Sequence, residues 1–109
     1  MRVIDQDKAK KGLAYFFYSG NINLMEIRIG TISNFYKRIG VAVVELSEPL
    51  KVGDSIHISG HHTDLTQRVD SMQIEHQTVQ MAEQGQSVGL KVDGEVREHD
   101  LVYKIIEED

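Results

Sequence analysis

Three histidines, His57, His61 and His62, with Asp64 just beyond, are the residues of this 109-residue chain best suited to metal ligation. Imidazole and carboxylate donors together favour zinc or a similar transition metal. The spacing argues against it, because adjacent histidines point apart and neither a Cys nor a Glu-x-x-His helix supports them. His57 alternates with Ile56 and Ile58 and should face outward; the group reads as a solvated loop. His76 and His99 read as isolated surface residues. A second pattern, Gly85-Gln86-Ser87-Val88-Gly89, spells the G-x-S-x-G elbow. That elbow needs a strand, a sharp turn and a helix, whereas Ser87 sits among alternating strand residues, and His99 precedes Asp100 in the wrong order. A third pattern is Lys37-Arg38 beside Phe35-Tyr36. Two cations and two aromatics can hold a phosphate and stack a base, with Arg28 and Arg68 extending a basic strip. The plainer and favoured reading is that the aromatics cap the core while the cations face water. Lys37, Arg38, Phe35, Tyr36 and Arg68 are thus the candidate residues for nucleic-acid or partner binding, and neither metal nor cofactor is expected.

The composition limits what these residues can serve. Twelve Lys and Arg stand against 17 Asp and Glu, a net charge of −5. Residues 1–24 carry +2 and residues 25–109 carry −7, which argues against sequence-blind DNA binding. The absence of Cys removes disulfides, thiol nucleophiles and Cys-based zinc sites. No G-x-x-x-x-G-K-[ST] cradle is present, so the chain should not bind GTP by itself. No apolar run nears the ~20 residues of a membrane helix. The run Leu13–Tyr18 is shorter than the ~7–15 residues of a signal core, so a cytoplasmic location is expected. Residues 1–24 also hold Tyr15, Phe16, Phe17 and Tyr18, four of the seven aromatics. They are either an extra strand packed on the domain or a leader before a native start at Met25, and residues 25–109 form the domain proper.

The elements that must position these groups follow a period of two. Ile27, Ile29 and Ile32 read as a strand with Gly30 at a close approach or bulge, followed by a short loop around Asn34. Val41–Leu46 is β-branched and is stopped by Ser47-Glu48-Pro49. A turn at Gly53-Asp54 leads to a strand carrying Ile56 and Ile58, and Thr66–Ile74 reads as one strand with a bulge. Val88, Leu90 and Val92 alternate, and Asp93-Gly94 is a hairpin signal. Leu101–Ile106 is the last strand, and Gln77–Gln84 is the best helix candidate. The fold class is all-β, a small closed six- or seven-stranded antiparallel barrel.

An ordered series of residues resembles one particular module. It comprises Arg28-Ile29-Gly30-Thr31-Ile32, Leu50-x-Val52-Gly53-Asp54-x-Ile56-x-Ile58, Val69-x-x-Met72, Val79-x-x-Ala82-x-x-Gly85-x-x-Val88-Gly89-Leu90 and Asp100–Ile105. This series is similar to the second domain of translational GTPases such as elongation factor Tu, over roughly residues 27–106. The family places Gly before the last-strand Asp, where this chain has His99. The resemblance implies a non-catalytic binding module that docks on ribosomal or transfer RNA or on a translation protein. A related barrel resembles the C-terminal accessory domain of collagenase-like peptidases. That gives the alternative, a detached accessory or protein-interaction subunit of an enzyme.

Overall fold

The computed structural model describes residues 14–19 and 22–108, with side chains for residues 24–107. The two readings of residues 1–24 turn on residues 1–13 and on aromatic side chains that lie outside this set. The chain runs β1 (Ala14–Ser19), β2 (Ile22–Tyr36), β3 (Val41–Leu46), β4 (Leu50–Lys51), β5 (Ser55–Ser59) and β6 (Asp64–Arg68). It continues β7 (Met72–Ile74), β8 (Gln77–Val79), β9 (Met81–Ala82), β10 (Ser87–Lys91) and β11 (Leu101–Glu108). Every ladder among them is antiparallel.

Alternation builds the core. In β3, Ala42, Val44 and Leu46 point inward, and Ile56 and Ile58 of β5 and Val88 and Leu90 of β10 do the same. Each fully buried aliphatic side chain contributes about 1.5–3 kcal/mol of transfer free energy. Strand β2 departs from strict alternation at two bulges. Ile29 is skipped in the ladder with β11, where Gly30 pairs Val102 and Arg28 pairs Tyr103. Ser33 is skipped in the ladder with β3, where Ile32 pairs Val44 and Asn34 pairs Val43. The first bulge lets both Ile29 and Ile32 enter the core despite their odd spacing. Gly30 between them is forced by crowding, since a Cβ there would stand 2.7 Å from the Glu45 carbonyl oxygen.

The main sheet runs β6-β5-β11-β2-β3-β10-β7-β8, with β1 added to β2, and β4 pairs β9 separately. No ladder joins β6 to β8, so the expected closed barrel is corrected to an open antiparallel sheet. The gap is spanned by single bonds instead: Val52 N to Gln80 O, Gly53 N to Val69 O, and Val69 N to Asp54 O. Strands here are too short to pair continuously, and eleven stand among the described residues where six or seven are expected.

Four local expectations also change. The expected loop around Asn34 is strand, because the Ser33 bulge keeps β2 in register to Tyr36. Thr66–Ile74 is two strands, broken where Val69 turns to bond Gly53 and Asp54. Gln77–Gln84 forms β8 and β9, not a helix. Asp93-Gly94 does not make a hairpin, since β10 pairs β3 and β7 while β11 pairs β2 and β5.

Candidate functional site

The second bulge decides the fate of the aromatic pair. Past Ser33, Phe35 falls opposite buried Ala42 and packs against the core, while Tyr36 falls opposite Val41 and faces out. Successive strand residues cannot share a face. Tyr36 is 49% exposed and its hydroxyl accepts a bond from Asn34 Nδ2 at 3.1 Å. The turn that follows is fixed from both sides. Gly40 N bonds Tyr36 O at 2.9 Å, Gly40 takes φ +66°, and Lys91 Nζ donates to Ile39 O at 2.8 Å. This anchoring holds Ile39 60% exposed beside Tyr36.

Tyr36 and Ile39 form one rim of an open groove of about 300 Å³. Its floor is Val41, Val43 and Gly89, and the β7–β8 turn supplies His76 on the far side. Gly89 explains why the groove exists. It lies opposite Val43 on one side and Gln73 on the other, in mid-strand, where glycine weakens a sheet. A Cβ there would meet Val41 Cγ1 at 3.5 Å, an ordinary contact. The fold therefore does not require glycine; the groove does. The far rim is strained, with Glu75 and His76 at φ +50° and +66° in a two-residue turn that suits Asn-Gly.

The cations are placed as follows. Lys37 is on the exposed turn, 3.9 Å from Glu95, and Arg38 is exposed beside it. An exposed ion pair of this kind contributes little. Arg28 Nη2 bonds Thr31 Oγ1 at 3.3 Å. Arg68 ends β6, level with Ser55, Ile105 and Glu26 through successive ladders.

The histidines divide into two groups. His57 does lie opposite the core face, as expected, but it is clamped rather than solvated. Its Nδ1 lies 2.9 Å from Glu26 Oε1 and its Nε2 2.7 Å from Asp64 Oδ1. Burial alone would lower its pKa; the bonds to the two carboxylates and their charges outweigh this and raise it above 6.5. His61 and His62 share a pocket with His99, so His99 is not the isolated surface residue expected. No group of three metal-ligating side chains is arranged to hold an ion among the described residues. Ser87 lies in β10 and bonds Glu45, which also accepts from Ser33 Oγ at 2.9 Å. This is a surface polar bridge with no histidine in it.

The described residues form an all-β domain whose open groove is rimmed by Tyr36 and Ile39. No protein-family model matches the chain. It is 46% identical over 83 residues to an uncharacterized protease of Methanocaldococcus jannaschii, covering 75% of this chain and 20% of that protein. It is 34% identical over 89 residues to a collagenase of Porphyromonas gingivalis, covering 80% of this chain and 22% of the collagenase. The chain thus spans about a fifth of the length of these curated relatives. Among solved structures it is similar to the C-terminal domain of a Geobacillus thermoleovorans protein described as a U32 peptidase. That likeness has a TM-score of 0.66 at 20% identity and covers 70% of this chain and 89% of that domain.

These relatives overturn the resemblance to the second domain of translational GTPases. With it go the expected docking on ribosomal or transfer RNA and a role in protein biosynthesis. The motif series that suggested it consists mostly of glycines and alternating aliphatics, which specify the shape of a strand-rich domain and not its partner. No helix among the described residues is long and apolar enough to cross a membrane.

Proposed function

We propose that this chain is the accessory β-domain of a collagenase-like peptidase of the U32 type, contributing binding and not bond cleavage. The 46% identity to the archaeal protease, confined to a fifth of that protein, carries the reading. A segment that short leaves most of the relative to house the chemistry, and the described residues here supply no catalytic constellation. The groove under Tyr36 and Ile39 is the face we assign to the catalytic portion, with Lys37 and Arg38 on the adjoining turn, while Phe35, packed against the core, and Arg68, in β6, lie outside it. Two exposed apolar side chains over a floor kept open by Gly89 suit an apolar residue of the partner. A cytoplasmic site of action goes with this reading and is tested by fractionating native cells.

The experiment is capture of peptidase polypeptides from native cells on the immobilised chain, alongside a peptide-cleavage assay of the chain alone. Retention of a U32-type catalytic portion, with no cleavage by the isolated chain, is the expected result. Cleavage by the chain alone would overturn the non-catalytic assignment.

A further inference from the structure

We propose that a second pocket, built between the 60–63 turn and the 97–100 turn, binds an oxyanion, either a carboxylate or a phosphate. Two segments far apart in sequence meet there because β5 pairs β11, with Ser59 opposite Leu101. The pocket is about 330 Å³, and His61, His62, Arg97 and His99 line it. This inference is independent of the peptidase reading.

Both turns are built rather than loose. Gly60 N bonds Thr63 O at 2.9 Å and Thr63 N returns to Gly60 O. Asp100 is buried, and its Oδ2 accepts from Arg97 N at 2.8 Å. Its carboxylate occupies the space where Gly60 would carry a Cβ, so the two turns are keyed together. The Thr63 hydroxyl is buried with no hydrogen-bond partner among the described residues, an unspent polar group in one of the turns.

His99 points to a ligand more directly. Its φ of +75° is strained for any residue with a Cβ, and glycine would hold the same turn without strain. What the chain gains from histidine there is a third imidazole beside His61 and His62. The nearby Arg97 guanidinium is permanently cationic and repels a metal ion, but it presents a planar fork of donors to a carboxylate or phosphate.

Arg97 shares the pocket with Glu98 and Asp100 on its own segment and with His61 and His62 on the other turn.

The test is amide NMR of the full chain titrated with inorganic phosphate and, separately, with acetate at pH 5.5 and 7.5. Saturable shifts confined to residues 60–63 and 97–100, and absent in Arg97→Gln, are expected. Saturation by phosphate alone or acetate alone supports the pocket and names the source. His99→Gly guards against a folding defect. It should raise Tm by about 5 °C through relief of strain while weakening binding. No saturable shift at pH 5.5 with either anion, or unchanged shifts in both variants, would overturn the proposal.

Discussion

The side-chain amide of Gln67 bridges strand β6 to the end of β10 by donating to the carbonyl of Lys91 at 2.9 Å. Its Oε1 accepts from Asp93 N at 2.7 Å. Gln67 is buried, and the pair of bonds copies the two-way exchange of a ladder at a place where no ladder runs. One side chain thus ties an open edge strand across the core. Gln67→Ala should cost about 1–2 kcal/mol, because it removes two part-buried hydrogen bonds, to the Lys91 carbonyl and from the Asp93 N–H. Urea unfolding measures the loss. Hydrogen exchange at Asp93 should accelerate ahead of global unfolding.

The clamp on His57 makes stability depend on pH. Its folded pKa lies above the unfolded value of 6.5, so its stabilising effect is complete below that pH and is lost as pH rises through the folded value. The urea midpoint of the wild type should fall as pH rises above 6.5, and His57→Gln should flatten that fall. Asp64 is 86% exposed at its side chain while Glu26 is nearly buried. Glu26→Gln should therefore remove more of the pH dependence than Asp64→Asn. Equal effects would show that water screens both carboxylates alike.

The β7–β8 turn can be relieved. Glu75→Asn with His76→Gly gives the turn the residue types its positive φ angles favour and should stabilise the fold by about 1 kcal/mol. Differential scanning calorimetry reads it directly. Because His76 sits on the groove rim, the same double variant should also weaken capture of the catalytic portion.

Much of the fold was legible because aliphatic alternation is a local signal. Val41–Leu46, Ile56 with Ile58, and Val88 with Leu90 face inward as their parity requires. What was not legible depends on pairing between distant strands. No residue near Ser33 announces a bulge, yet that bulge decides that Phe35 faces the core and Tyr36 faces out. His99 reads as isolated until β5 and β11 pair and bring His61 and His62 to it. The positive φ at His99 shows that the glycine-like conformation persists without glycine, which no residue type could signal. Gly85 is glycine for its φ of +88°, since nothing lies within 4 Å of where its Cβ would stand. The translation-factor resemblance misled for a related cause, since scaffold residues specify shape and shape does not specify partners.

Gly89→Val separates the groove from the fold. The added side chain meets an ordinary contact distance at its Cβ and replaces a glycine in mid-strand, so stability should hold within about 1 kcal/mol or rise. Ile39→Ser removes an exposed apolar group and should leave stability within about 0.5 kcal/mol. Thermal melts of both variants check these values.

The most direct test of the accessory-domain account is affinity capture from nuclease-treated native cells on wild-type, Gly89→Val and Ile39→Ser chains, with retained proteins identified by mass spectrometry. The account expects the wild type to retain a U32-type catalytic portion and both variants to lose most of it while staying folded. Retention of ribosomal components instead, or equal capture of the peptidase by all three chains, would contradict it.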